Sequence, residues 1–406
     1  DGTDRAVSTG GSTNATITNN GTIEVETNRS FRTSGGQVDE LINNGFITAG
    51  GREGLRNGGT INILTNTITG VISAGTDFGI NNRVSGIIGT ITNSGTITAG
   101  DDFGLINRSI IGIIINTNSG IISAGNDFGL RNNSTGTITA LTNFGEISAV
   151  DDFGLQNKGI IGTSINSGTI SADAQFGFHN FDSSSTITSL INTGTISAGT
   201  NNGLRNKGTI GTIINSGTIS AGTNDSGLFN DDTGIITELT NSGIISAGGN
   251  FAINNQGSIG TLTNTGSILF QSTGISNAGT ITTFNNLQGT FINSQGNLDS
   301  NPVTFIKSLP TNYNVIVNST SDFGKIIFSG VSGTINFGVD PSSTLADVDT
   351  TYSSVLSGLS SSDIVCCFLG TFPSAGAITK NWTLDNISGS LLWDLNLTVI
   401  DITTNT

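Results

Sequence analysis

Hydrophobic and polar residues alternate along this chain in short bursts of one kind, Thr-Ile-Ser-Ala, each opened and closed by glycine. The burst reads Gly95-Thr-Ile-Thr-Ala-Gly100, Gly120-Ile-Ile-Ser-Ala-Gly125, Gly194-Thr-Ile-Ser-Ala-Gly199 and Gly217-Thr-Ile-Ser-Ala-Gly222. Looser copies open at Gly21, Gly45, Gly70, Gly145, Gly168, Gly243, Gly266 and Gly289, twelve in all, with steps of 23 to 26 residues. Such a period marks a solenoid, in which one supersecondary unit is stacked on the next. Two residues after the opening glycine stand Ile23, Ile47, Ile72, Ile97, Ile122, Ile147, Ile170, Ile196, Ile219, Ile245 and Ile268, and then Phe291. Alanine follows two residues later, from Ala49 to Ala247 in most copies. An Ile-x-Ala alternation places both side chains on one face of a strand and the intervening hydroxyl on the other.

Each unit predicts two further strands. One reads Gly-Leu-x-Asn, as in Gly104-Leu-Ile-Asn107 and Gly129-Leu-Arg-Asn132. Its closing asparagine recurs in ten consecutive units: Asn57, Asn82, Asn107, Asn132, Asn157, Asn180, Asn206, Asn230, Asn255 and Asn277. The other precedes the anchor, as in Ile91-Thr-Asn93 and Leu262-Thr-Asn264, and carries a second asparagine column that is broken at Ile68 and Leu287. Stacked amides donate and accept along a column, and Asn tolerates the left-handed backbone of corners, so these asparagines read as a structural ladder. Three short strands in about 24 residues predict an all-β fold, a right-handed parallel β-helix of about twelve coils over residues 21–296. At the sheet spacing the rod is about 50 Å long. A propeller needs four strands and 40 or more residues per blade, and does not fit.

Composition sharpens the boundaries. Residues 1–20 are a lead-in or partial first coil. Residues 297–406 hold all four prolines, both tryptophans and both tyrosines, so they are expected to form a distinct β-rich capping segment. Glycine, 58 in all, is expected at the corners. The chain contains no methionine, so Asp1 is expected to be a processed or trimmed end. No run of apolar residues is long enough for a membrane-spanning helix. A net charge of −15 argues against nucleic acid as a partner. Cys366 and Cys367 stand alone and adjacent; buried free thiols are the simpler expectation, a vicinal disulfide the alternative.

The C-terminal segment carries a likeness. Leu309-Pro-Thr-Asn-Tyr-Asn-Val-Ile-Val-Asn318, Asp322-Phe-Gly-Lys325, Gly330-Val-Ser-Gly-Thr-Ile-Asn-Phe-Gly338, Tyr352-Ser-Ser-Val-Leu-Ser-Gly-Leu359, Trp382 and Ser390-Leu-Leu-Trp-Asp-Leu395 resemble the end of a type V secretion autotransporter passenger. The Asn-Ser-Gly-Thr-Ile repeats are similar to passenger β-helices as well. That resemblance implies a signal peptide upstream, a β-barrel translocator downstream, and display at the outer membrane or release outside the cell. Closely spaced cysteines agree with it.

Candidate chemistry is sparse. Glycan lyases and hydrolases built on β-helices need clustered acids with Arg or Lys, or a carboxylate pair, usually on enlarged loops. The coil length here leaves no such loop, so a glycan-active enzyme is a weak alternative. The single His179 takes the place of Arg131 or Arg205 in the repeat, an outward position, and reads as a surface substitution. The sharpest candidate is an acid column: Asp77, Asp102, Asp127 and Asp152 precede Phe78, Phe103, Phe128 and Phe153 at 25-residue spacing, with Asp101 and Asp151 beside them. Like charges stacked about 5 Å apart repel by roughly 1 kcal/mol or more. Bridging calcium is one way to offset this. Neutralisation by Arg83, Arg108, Arg131 and Lys158, or plain solvation, is the other. The phenylalanines read as a stack at a corner. The reading that results is a non-enzymatic extracellular rod for adhesion or self-association. Its partners would be itself, or host or surface glycans and proteins. A filament or sheath subunit growing head to tail is the alternative.

Overall fold

A computed structural model describes residues 5–11, 15–223, 225–271, 273–289, 291–292, 298–299, 301–372 and 378–401. It is a parallel β-solenoid of about 13 turns with coils of about 24 residues. One coil serves for all. The strand Ile87–Asn93 turns at Ser94 and Gly95 into Thr96–Ala99, which turns through Gly100, Asp101 and Asp102 into Phe103–Asn107. Each strand pairs in parallel with its counterpart one coil away: Ile97 lies between Ile72 and Ile122, Leu105 between Ile80 and Leu130, Ile91 between Leu64 and Ile114. The three faces are called here the anchor face, the Asn-closing face and the third face, in that example the strands at 96–99, 103–107 and 87–93.

The core is a set of aliphatic columns. Ile97, Leu105 and Ile91 are all 0% exposed, as are their counterparts in neighbouring coils. Fully burying one such side chain is worth about 1.5–3 kcal/mol, and every coil repeats the gain. Alanines such as Ala99 and Ala124 sit inward at the end of the anchor strand, in the register position that Val25 holds in the first one.

Most glycines of the repeat are not there for unusual backbone angles. Among the described residues positive φ occurs at Gly11, Gly35, Gly330, Gly333, Gly358 and Gly389 and at no glycine between Gly35 and Gly330. The repeat glycines answer to close approach instead. A Cβ on Gly104 would lie 2.6 Å from the Ser123 carbonyl oxygen and 2.7 Å from that of Gly129. Gly104 therefore presses its backbone onto the anchor strand, and the expectation of glycine only as a corner residue is corrected. The same holds for Asn: the positive-φ residues other than glycine are Lys307 and Ser354, so the ladder asparagines are not left-handed.

At the N-terminal end Arg5–Gly10 and Thr16–Asn19 pair in parallel onto the long strand Arg29–Asn43. At the other end the boundary expected at 296 lies outside the described residues, and the change of composition near it is not where stacking stops. Val303–Ser308 pairs in parallel with Thr273–Asn277, and Ile326–Ser332 pairs in parallel with Val303–Ser308. The anchor face ends earlier. Among the described residues it has eleven strands, the last being Ser267–Leu269. Phe291, expected in that column, instead pairs antiparallel with Asp299. Its place over the last anchor strand is taken by a side chain: Gln288 accepts from the Ile268 N–H at 2.7 Å and donates to the Ile268 carbonyl at 3.1 Å, as a further strand would.

Beyond this point the core turns aromatic. Tyr313 meets Phe284 and Phe328 with ring centroids 5.7 and 6.0 Å apart, and Trp382 meets Phe337 at 5.8 Å. The antiparallel strands Leu369–Phe372, Ile378–Asn386 and Leu392–Asp401 close this region against Thr350–Ser357. Trp393 is buried there, its indole N–H donating to the Leu359 carbonyl at 2.9 Å. Cys366 and Cys367 are joined in a disulfide, which corrects the expectation of free thiols.

Candidate functional site

The predicted site residues all lie on or under the Asn-closing face. Inside it, Asn57, Asn82, Asn107, Asn132, Asn157, Asn180, Asn206, Asn230, Asn255 and Asn277 are each 0% exposed. Every Nδ2 in the series donates to the Oδ1 of the next, at 2.7 to 2.9 Å. Nearly every amide also reaches a backbone carbonyl of the following coil, as Asn132 reaches Ile160 at 3.0 Å. Asn277 ends the series on the Ser308 carbonyl at 2.8 Å. A buried amide left unpaired costs about 1–3 kcal/mol, so a column satisfied on both sides is what permits asparagine in a core.

The companion column is longer than expected. It runs from Asn19 through Asn43, Asn66, Asn93, Asn116, Asn143, Asn166, Asn192, Asn215, Asn241 and Asn264 to Asn286. The breaks expected at Ile68 and Leu287 do not exist, because Asn66 and Asn286 supply the amides from shifted sequence positions.

Outside the face runs the aromatic series. Pressing Gly104 inward swings Phe103 out, and Phe78, Phe103, Phe128, Phe153 and Phe176 stack along the rod with centroids 5.0 to 5.3 Å apart. They form a small apolar cluster of their own with Ile106, separate from the main core. Cations roof it. Arg108 lies 5.0 Å from the Phe78 ring, Arg131 4.9 Å from Phe128, and Arg205 5.2 Å from Phe176. Lys158 stands 3.8 Å from Phe181. Cations over ring faces gain about 0.5–2 kcal/mol each.

His179 belongs to this cluster, and its reading as a surface residue is corrected. Its strand position does face outward, between Gln156 and Arg205, yet it is 3% exposed under the rings of Phe153, Phe176 and Phe181. Neither ring nitrogen is hydrogen bonded. Burial, with Arg205 and Lys207 adding repulsion, pushes it down to about 3, so it is neutral near pH 7. It is poorly placed to pass protons to a bound molecule.

Asp77, Asp102, Asp127 and Asp152 line the turn beside the rings. Partial burial, then the neighbouring Asp127, Asp77 and Asp101 carboxylates, hold Asp102 above the usual carboxylate range. Asp127 is raised by burial and by Asp101 and Asp151, against the pull of Arg131. Asp152 is raised by burial, Asp127 and Asp151, although Gln175 donates to it. Asp77 pairs with Arg52 at 3.2 Å. Among the described residues no three His, Cys, Asp or Glu side chains converge to hold a metal ion. Of the cations expected to neutralise the column, Arg108, Arg131 and Lys158 sit over rings, and only Arg131 bears on an acid of the column, Asp127.

The start of this face departs from the repeat in a way the sequence pattern does not announce. Where later coils place a phenylalanine, this coil has Glu53, 1% exposed and in register with Phe78 on one side and Arg29 on the other. Arg29 donates to it, as does Asn81 at 2.6 Å, and Asn81 in turn accepts from Arg108 at 2.8 Å. The aromatic series is thus anchored on a buried, fully hydrogen-bonded carboxylate.

The chain matches no protein-family model, and no curated protein or solved structure matches it either.

Proposed function

We propose that this chain is a non-enzymatic binding rod of the bacterial cell surface or extracellular space, an adhesin or self-association module carried by a type V passenger. The observation that supports this reading is the third face. Its outward positions form in-register columns: Ile87, Ile110, Thr137 and Ile160 in one, Thr92, Ile115, Thr142 and Ile165 in another. Several of the isoleucines stand well into solvent, Ile110 at 47%, Ile160 at 50% and Ile235 at 48% exposed. A regular ridge of methyl and hydroxyl groups meets an identical ridge, or a surface coated with glycan or protein, through many weak contacts. Linked contacts of this kind raise avidity far above any single affinity.

The test is agglutination. Beads carrying the purified rod are expected to clump, or to settle on coated surfaces, and the double variant Ile160→Lys, Ile235→Lys is expected to lower this several-fold with melting unchanged. Beads that stay dispersed and bind no surface would refute the reading. Negative-stain images of the free protein separate it from a filament subunit, since rods of one length agree with adhesion and long fibres with end-to-end growth.

A further inference from the structure

The arginines of this acidic chain are unevenly spread. Arg29, Arg32, Arg52, Arg56, Arg83 and Arg108 are six of nine, and three of them meet at one place. Arg32 and Arg56 are in register on the outside of adjacent coils. Arg83 follows the ladder residue Asn82, its N–H donating to the Asn57 carbonyl at 2.8 Å, which sets it against the same spot. Together with Ser34, Gly35 and Ser85 they line an open cleft of about 240 Å³.

The three cations are short of counter-charge. Arg32 and Arg83 form no ion pair among the described residues, and the Nε of Arg32 is buried with no acceptor. Among the described residues Arg56 has a carboxylate within reach only in Glu53, at 3.7 Å, and Glu53 already accepts from Arg29 and Asn81. Arg56 is held below its ordinary value by burial and by Arg83, Arg29 and Arg32, against the pull of Glu53. Elsewhere on this face the corresponding arginines have rings beneath them; here there is none. Gly35, at φ +73°, has open space where a side chain would stand, so among the described residues nothing covers the cleft at that point.

We infer that this cleft binds an acidic oligosaccharide, its carboxylate or sulfate groups held by Arg32, Arg56 and Arg83. Guanidinium forks suit planar or tetrahedral oxyanions and bind them in pairs of hydrogen bonds. The three side chains come from three successive coils, a span of about 10 Å along the rod. A disaccharide covers that distance; a lone ion does not. Nucleic acid fits poorly, because a long polyanion would run on past the cleft into the Asp77 and Asp102 carboxylates, whereas a short oligosaccharide ends at the three arginines. The inference is independent of the adhesive role proposed above. Binding in solution can succeed or fail whatever the beads do.

The test is calorimetric titration at low salt with four probes: tetragalacturonate, a chondroitin sulfate tetrasaccharide, inorganic sulfate, and a thymidine oligonucleotide of equal charge. One-to-one saturable binding of at least one tetrasaccharide is expected, tighter than inorganic sulfate, and which one responds distinguishes carboxylate from sulfate. Arg56→Gln and Arg83→Gln are each expected to weaken it tenfold or more, while Lys158→Gln, a cation on the same face, leaves it unchanged. Arg83 lies at the partly exposed rim, so its variant carries the test if the Arg56 variant does not fold. No binding by either tetrasaccharide, binding that survives both substitutions, or equal binding of the oligonucleotide overturns the proposal.

Discussion

Replacing Asn157 by leucine, a side chain of similar size with no polar atoms, isolates what an amide column does. Asn157 accepts from Asn132 at 2.9 Å and from the Gly159 N–H at 3.2 Å. It donates to Asn180 at 2.9 Å and to the Gly159 and Thr186 carbonyls at 3.1 Å. Leucine deletes all of these and strands the Oδ1 of Asn180. Each bond is worth about 1 kcal/mol net, and each stranded group costs about 1–3 kcal/mol. The extra buried apolar surface returns about 1–2 kcal/mol. The expected loss is therefore about 5 kcal/mol. Asn277→Leu, at the end of the column, is expected to cost about half as much. Asn157→Asp adds a sign. A buried carboxylate has its pKa raised, so whatever stability that variant retains is present at low pH and lost as pH rises. Urea unfolding followed by circular dichroism gives the totals, and hydrogen exchange shows whether the loss is local to the coil, as expected where each repeat contacts only its neighbours. A change within about 0.5 kcal/mol for Asn157→Leu, the range of ordinary surface substitutions, would sink the argument.

Other outcomes follow from the outer side of the same face. His179 is neutral when folded and has a folded pKa of about 3, so its contribution is present above about pH 6.5 and drains away as pH falls. At pH 5 the loss is about 2 kcal/mol, and His179→Phe should abolish that part of the acid sensitivity in thermal melts. Asp102, Asp127 and Asp152 have the opposite sense: raised in the folded state, they oppose folding when charged, and this penalty shrinks as pH falls into the carboxylate range. Asp127→Asn is therefore expected to raise the melting temperature at pH 7, and molar salt to remove only the part of that rise owed to Asp101 and Asp151, since burial is not screened. EDTA and millimolar calcium are expected to leave the melt where it was; a rise of several degrees with calcium would mean that the acids do share an ion. Gly104→Ala would place a methyl group 2.6 Å from the Ser123 oxygen, and a loss of about 1–3 kcal/mol is expected on urea unfolding.

How much of this was legible depended on whether the cause was local. Inward Ile97 and its column announce themselves, since alternation and period are both properties of the chain. The asparagine ladder through Asn107 and Asn132 is legible for the same reason. The companion ladder reads as interrupted because its members are 22 to 27 residues apart; only space, not counting, aligns Asn66 with Asn93. Gly104 resembles a corner residue because nothing in the sequence says that another strand passes close beneath it. Spacing puts His179 on the correct side of its strand but does not show its surroundings, since Phe153 of the preceding coil and Phe176 and Phe181 of its own close over it. Gln288 acts as a strand end with a side chain, and no pattern encodes that. The acid column stood out as a charge problem, yet its surroundings are set by where Arg108, Arg131 and Lys158 lie, and they lie over rings.

The amides of both columns all point the same way, with donors toward the C-terminal coils and acceptors toward the N-terminal ones. Any coil therefore offers its successor the same pair of waiting donors, and offers its predecessor the same pair of waiting acceptors. Coils are interchangeable parts. Excising one whole unit, from Asn107 to just before Asn132, brings donors and acceptors of matching kind together again at the seam, whereas excising half a unit does not. The rod can thus be lengthened or shortened by duplication and loss without redesign of its interior, and its reach is a quantity that selection can adjust one coil at a time.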